Sequence, residues 1–335
     1  MAATIRDLAA LAGVSPSTIS RAFSRPEKVD ETTRDRILTL AEQIGYVPSR
    51  AARTLKTGRT GAVGIVVPDL SNPFFSDIVR GVQHRARDVG YSVLLADSDE
   101  DPSTEVELVT TLARNVDALV LCSPRMSDTE LAAAARLQPM VLVNRGAGAD
   151  APGAVPPVTF DNAGGVRQAV EHLHGLGHRD IGFVSATGSS RSNADRRQAF
   201  HVATHEHGLS GVEIGTFAPT VEGGASAADA TMRSGVSAVL VSNDVMAVGL
   251  LARLVRQGVD VPGEISVVGF DDIVMAGLIT PALTSVAIPL RHAGAVAVDR
   301  LHAHLSGETP QGPPLDIPTS LVVRESTGPR PHAGA

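Results

Sequence analysis

The side chains of this sequence that are spaced for chemistry are spaced for recognition. Near the amino end, Ser15-Pro16-Ser17-Thr18-Ile19-Ser20-Arg21 sets hydroxyls and a guanidinium along one short segment. Such groups hydrogen-bond to base edges and phosphate oxygens. Further on, polar residues follow apolar runs at Asp69-Leu70-Ser71-Asn72-Pro73-Phe74-Phe75, Asn144-Arg145, Asn243-Asp244 and Asp271-Asp272. If those runs are parallel strands, the crevice outside their carboxyl ends is where a ligand binds. Patterns for covalent or redox chemistry do not hold up. Gly61-Ala62-Val63-Gly64 lies at a strand start instead of opening a helix after one, so it lacks the logic of a dinucleotide fingerprint. His201 and His205 stand four apart, but His207 does not supply a third metal ligand of matching spacing, and a solvated helix face is the better reading. No Ser/His/Asp set carries a nucleophile-elbow signature. The single cysteine, Cys122, sits in Ala118-Leu119-Val120-Leu121-Cys122 and reads as a buried, inert thiol. No cofactor and no metal are expected. An enzyme on an α/β scaffold is the competing class, and turnover of a ligand by the purified protein would support it.

Charge separates these regions. The 335 residues carry a formal net charge of −7, which taken whole argues against a nucleic-acid partner. Residues 1–60, however, hold ten Lys/Arg and six Asp/Glu, a net of +4, leaving −11 on the rest. A basic head on an acidic body is the asymmetry of a chain that meets phosphate at one end. With 43% hydrophobic residues the chain can bury a real core. The absence of a long apolar run or a signal-peptide start predicts a cytoplasmic protein with no membrane partner.

The elements that must position these residues are legible in outline. Ile5, Leu8, Ala9 and Ala12 recur at helical spacing, Thr4 and Asp7 are placed as a capping box, and Gly13 ends the helix. Ser15 as N-cap and Pro16 at the first position open a second helix running to about Phe23, with Ile19 and Phe23 inward. Two short helices across a tight turn make a helix-turn-helix unit, whose second helix fits a major groove. Asp30 and Glu31 open a third helix through Ile37, Leu40, Ala41 and Ile44, closed by Gly45. A fourth segment, Ser49 to Lys56, is too short to hold a helix in water unaided.

After Thr60, buried strands are expected at Ala62–Val67, Tyr91–Ala96, Val116–Cys122 and Met140–Val143, with helices near Pro73–Val89, Ser103–Arg114 and Asp128–Arg136. The alternation restarts at Asp180. Strands at Ile181–Ser185, near Gly215–Ala218, at Ala238–Ser242 and at Ile265–Phe270 are separated by helices near Asp195–His207, Gly223–Arg233 and Asp244–Gln257. Two such halves predict paired parallel-sheet lobes with a cleft between them. The Pro/Gly-rich carboxyl tail has no apolar heptads, so a flexible tail and a dimer, not a coiled-coil tetramer, are expected.

The run Thr4-Ile5-Arg6-Asp7-Leu8-Ala9 followed by Ala12-Gly13-Val14-Ser15-Pro16-Ser17-Thr18-Ile19-Ser20-Arg21 resembles the DNA-binding head of the lactose-repressor (LacI/GalR) family. Gly45-Tyr46-Val47-Pro48-Ser49-Arg50-Ala51-Ala52-Arg53-Thr54-Leu55 resembles that family's hinge helix. Asp30 stands where a serine cap is usual, and Ser49 where asparagine is common; both can cap. The strand-end motifs extend the resemblance over roughly residues 4–325.

It implies an α + α/β chain: a three-helix head (1–47), a hinge helix and linker (48–60), a two-lobed periplasmic-binding-protein-like core with parallel sheets (61–325) and a flexible tail (326–335). Within the core it implies a lobe nearest DNA of about 61–160 plus 290–320, and a distal lobe of about 161–289. Its DNA contacts map to Thr4, Ser15, Pro16, Ser17, Thr18, Ser20 and Arg21, with Arg21 the base reader. In the hinge they map to Ser49, Arg50, Ala52, Arg53, Leu55 and Lys56, with Leu55 a wedge in the minor groove. Its ligand-contacting amide, carboxylate and arginine map to Asn243, Asp271 and Arg196, a set that suits vicinal hydroxyls. Asn72, Phe74, Phe75, Leu290 and Asn144, the last where aspartate is frequent, complete the expected contacts. Phe74 and Phe75 fit either a ring-stacking role or a core role. The function implied is a homodimeric regulator, usually a repressor, on a pseudo-palindromic operator of double-stranded DNA, with a small effector such as a sugar or related metabolite in the interlobe cleft.

Overall fold

The computed structural model describes residues 3–46, 58–146, 155–308 and 315–331. It divides into two compact units, residues 1–61 and 62–335. The expected hinge contacts Ser49, Arg50, Ala52, Arg53, Leu55 and Lys56 lie outside the described residues.

The first unit is a three-helix pack of α1 (Ile5–Ala12), α2 (Pro16–Ser24) and α3 (Glu31–Gln43). Each start is fixed by a side chain. The Thr4 hydroxyl accepts from the Asp7 amide while the Asp7 carboxylate accepts from the Thr4 amide, the Ser15 hydroxyl accepts from the Thr18 amide, and Asp30 accepts from the Thr33 amide. Gly13 stops α1 at φ 64°, a left-handed conformation that favours glycine. Leu8, Ile19 and Ile37, one from each helix, are fully buried and form the centre of the core. Phe23 only packs at its edge, against Tyr46.

The second unit carries two six-stranded sheets. In the first, β1 (Ala62–Val67), β2 (Ser92–Asp97), β3 (Ala118–Cys122), β4 (Met140–Val143), β5 (Val158–Phe160) and β11 (Leu315–Ile317) run in the order β11-β5-β4-β3-β1-β2, all parallel. In the second, β6 (Asp180–Ala186), β7 (Ser210–Phe217), β8 (Ala238–Val241), β9 (Ser266–Asp271), β10 (Thr284–Ala287) and β12 (Ser320–Val322) run β12-β10-β9-β8-β6-β7. Here β12 is antiparallel to β10, so this sheet is not purely parallel as expected. The helices of the first lobe are α4 (Pro73–Asp88), α5 (Pro102–Leu112), α6 (Asp128–Ala135) and α11 (Leu290–Leu305). Those of the second are α7 (Asn162–Gly175), α8 (Arg191–Glu206), α9 (Val221–Ser234) and α10 (Asp244–Arg256).

The chain crosses between lobes after β5, after β10 and again between β11 and β12. α4 and α11 meet backbone to backbone: a Cβ on Gly81 would fall on the Arg291 carbonyl oxygen, and one on Gly294 on that of Ile78. Three expectations change. β2 is an edge strand with Leu94 and Leu95 each 39% exposed, because only β1 flanks it. The elements β5, α7, β10, α11, β11 and β12, around the crossovers, were not predicted. The tail is also not free over its described part. Ser326 is buried and donates to the Val267 carbonyl, the Gly328 carbonyl accepts from buried His178, and the Arg330 amide donates to Leu176.

Candidate functional site

On α2, Ile19 and Ala22 turn into the head's core. At about 100° per residue this places Ser17, Ser20 and Arg21 on the opposite face. Pro16, Ser17 and Arg21 are exposed, Thr18 and Ser20 half-buried. Arg21 lies within 3.5 Å of the Ser17 hydroxyl and, among the described residues, makes no ion pair. Thr4 and Ser15 are exposed and cap α1 and α2, their hydroxyls accepting from the Asp7 and Thr18 amides.

The second unit has a cleft between its lobes, lined at strand carboxyl ends by Asp69 and Asn72 (after β1), Glu100 (β2), Ser123 and Arg125 (β3), Asn144 (β4), Ser190 and Arg196 (β6), Asn243 (β8) and Asp271 (β9). Apart from glycines, the described residues with positive φ are Asp99, Glu100, Ser123, Asn144, Asp271 and Asp272, all at these strand ends. Such backbone strain persists where surrounding structure enforces it, and it concentrates at binding sites.

Arg196 is the best-held group. Its Nε donates to Asn162 Oδ1 (2.8 Å), Nη1 to the Ser242 carbonyl (2.7 Å) and Nη2 to Asp271 Oδ1 (3.1 Å), and its guanidinium lies 3.7 Å from the centre of the Phe270 ring. Burial pushes the Asp271 carboxyl up to about 6 in spite of the guanidinium beside it. Neighbouring Asp244 faces inward: it accepts from the Ser285 hydroxyl and the Ile273 amide, and burial raises it well above the usual carboxylate range.

The asparagines divide their hydrogen bonds in two ways. Asn72 caps α4 and Asn243 caps α10 through Oδ1, and among the described residues neither Nδ2 has a partner. Asn144 does the reverse, donating Nδ2 to Ser123 while its buried Oδ1 has no partner among the described residues. Phe74 and Phe75 border the cleft, but at 3% and 4% exposure, edge to face at 4.9 Å, they are mainly core. Leu290 opens α11, is 6% exposed and packs in the core, and it is not among the residues lining the cleft as it stands closed.

Sequence reasoning missed Glu100, Ser123 and Arg125. The strand-end rule would have found them had it been applied to β2 and β3. It also missed the cleft's mouth. There the Asp128 carboxylate is shared by Arg145 of its own lobe (2.6 Å) and Arg191 of the other (3.0 Å), and the Ser189 hydroxyl donates to the Arg125 carbonyl. So closed, the cleft holds about 50 Å³, well under the ~300 Å³ at the small end of ligand pockets. His201 pairs with Glu213, and among the described residues no His, Cys, Asp or Glu cluster could hold a metal ion. Burial pushes the Cys122 thiol up, as expected of an inert one. Among the described residues, no helix is long and apolar enough to cross a membrane.

Two family models match: bacterial regulatory proteins of the lacI family over residues 4–49, and the periplasmic binding protein-like domain over 170–327. Over 336 residues the chain is 31% identical to the transcriptional repressor CytR of Escherichia coli, covering 97% of this chain and 96% of that one. It is 30% identical to catabolite control protein A of Priestia megaterium, covering 98% and 100%. In three dimensions it matches the lac repressor dimer bound to operator and the anti-inducer ONPF with TM-score 0.86 at 26% identity, covering 98% and 100%. It matches the CelR–cellobiose complex with TM-score 0.71 at 29% identity, covering 97% and 99%. A helix-turn-helix head followed by a two-lobed α/β core defines a ligand-sensing DNA-binding regulator as a class. The chain belongs to the LacI family of bacterial transcriptional regulators, whose members are DNA-binding proteins and not enzymes.

Proposed function

We propose that the chain acts in the cytoplasm as a homodimeric repressor of a near-palindromic operator, and that a sugar or related metabolite bound between the lobes changes its affinity for DNA. The observation that carries this reading is the division of unspent hydrogen-bonding atoms in the cleft. Among the described residues, Asn72 and Asn243 each keep a free Nδ2 donor, Asn144 keeps a buried acceptor, and Asp271 commits only one oxygen to Arg196. A hydroxyl both donates and accepts, so adjacent hydroxyls satisfy such a set. The lac repressor on its operator and CelR with cellobiose are relatives in structure that support it.

The division into head (1–47), hinge (48–60) and core (61–325) goes with this reading. Two recognition helices enter successive major grooves, Ser17 and Arg21 reach bases or flanking phosphates, and Leu55 wedges into the minor groove between them. Closing or opening the cleft repositions the two heads of the dimer. The test is fluorescence anisotropy on a duplex selected by the protein from a random-sequence pool, with and without a panel of sugars. Nanomolar binding that one sugar shifts by tenfold or more is expected. Binding of that DNA no tighter than of random duplex, or indifference to every sugar that raises the melting temperature, would overturn it. Arg21→Ala is expected to weaken binding and relax specificity at one base pair.

A further inference from the structure

Among the described residues, five ionisable side chains line the cleft: three carboxylates, Asp69, Glu100 and Asp271, and two guanidiniums, Arg125 and Arg196. Arg125, whose side chain is 7% exposed, gives Nε and Nη2 to the two oxygens of Glu100 (2.6 and 2.8 Å) and Nη1 to the Ser123 carbonyl (2.7 Å). The Glu100 side chain is 33% exposed, so of the two it is the carboxylate that meets solvent in the cleft. Its place is enforced, since Asp99 and Glu100 are consecutive left-handed residues (φ 51° and 58°) and the Glu100 amide donates to the Pro68 carbonyl. Arg196 is matched by Asp271. Asp69, whose Oδ1 accepts from the Ser71 amide, has no cation partner among the described residues.

From this we infer that Glu100 is a specificity-determining residue: by holding the Arg125 fork it sets the cleft against phosphorylated and carboxylated effectors and in favour of neutral, hydroxyl-rich ones. The inference rests on the effector reading above and narrows its ligand class. A phosphoryl group binds well where a guanidinium can turn its fork to it. In this cleft the Arg125 fork is committed to both oxygens of Glu100, Arg196 is spent on Asn162, the Ser242 carbonyl and one oxygen of Asp271, and among the described residues the third carboxylate leaves the lining one negative charge in excess. An anion entering would have to displace a bidentate partner and face the carboxylate it displaced.

The test uses the full chain, with inorganic phosphate, glucose 6-phosphate and a panel of neutral mono- and disaccharides as probes, read by thermal shift and calorimetry. The wild-type chain is expected to ignore both anions at millimolar concentration. Glu100→Gln keeps the size of the side chain and removes its charge. It is expected to gain binding of glucose 6-phosphate by at least about tenfold over wild type, and Arg125→Met added to it is expected to abolish the gain. Glu100→Asp, which keeps the charge, is expected to stay blind to both anions. A folded Glu100→Gln chain without any gain, or a wild-type chain stabilised by glucose 6-phosphate and losing that in Arg125→Met, would overturn the inference. If Glu100→Gln does not fold, Glu100→Ala carries the test, and a folded Glu100→Ala chain that binds glucose 6-phosphate no better than wild type would overturn the inference. Failure of every neutral sugar counts against the carbohydrate effector and leaves the anion comparison intact, so the two failures are distinct.

Discussion

The two walls of the cleft each set a buried arginine against a carboxylate, and they differ in how much water reaches the pair. On the second-lobe wall both side chains, Arg196 and Asp271, are 5% exposed, and the guanidinium is tied to α7, β8 and β9 as well as lying on Phe270. On the first-lobe wall Arg125 is equally buried, but Glu100 is one-third exposed. A pair shut off from water has become part of the fold, since removing one partner strands an uncompensated charge. A pair with one partner in water presents that partner to whatever enters the cleft, which is what a selective contact requires.

The largest effect that sharpens this contrast is expected from Arg196→Ala. Leaving Asp271 and Asn162 buried without their donor should cost about 3–5 kcal/mol in urea unfolding. Arg125→Ala should cost less, about 1–3 kcal/mol, because water can take over Glu100. Equal losses would break the comparison. The second-lobe wall should also show itself in pH. With its carboxyl raised to about 6 in the folded state from an ordinary 3.8, Asp271 contributes stability that is present below about pH 4 and is lost as pH rises through 6. Asp271→Asn should flatten that part of the stability profile, and Glu100→Gln should leave it in place. The smallest effect on stability belongs to the mouth. The Asp128 side chain is 57% exposed and Arg191 58%, so Arg191→Ala, which leaves Asp128 paired with Arg145, should change unfolding by no more than about 1 kcal/mol. By small-angle scattering it should still shift the lobes toward a more open arrangement. A scattering profile identical to wild type would show that the lobes are held by the crossovers alone.

How much could be read in advance followed the range of the interactions. The head was legible almost residue by residue, because Thr4 with Asp7, Ser15 with Thr18 and Asp30 with Thr33 are contacts over three positions. Most core strands fell within two residues of their expected bounds, since each is an apolar run between turn residues. The crossover elements did not, because α7 and α11 begin where the chain changes lobe and no local pattern marks that. The packing of Leu290 was not legible for the same reason. Which way it faces depends on the Ile288-Pro289 crossing and on α4, reached through 200 residues of intervening chain.

By itself, the sequence determined the three capped helices, the alternation of strand and helix, and the residue types waiting at the strand ends, because propensity, capping and periodicity act between near neighbours. The tertiary structure decided which of those residues are spent and which are free. That Arg196 meets Asp271 from 75 positions away, that Arg125 is occupied by Glu100 from 25, and that the Asn144 Oδ1 is left over depends on strand order and lobe exchange. Those arise from packing two sheets together and cannot be read from any one segment.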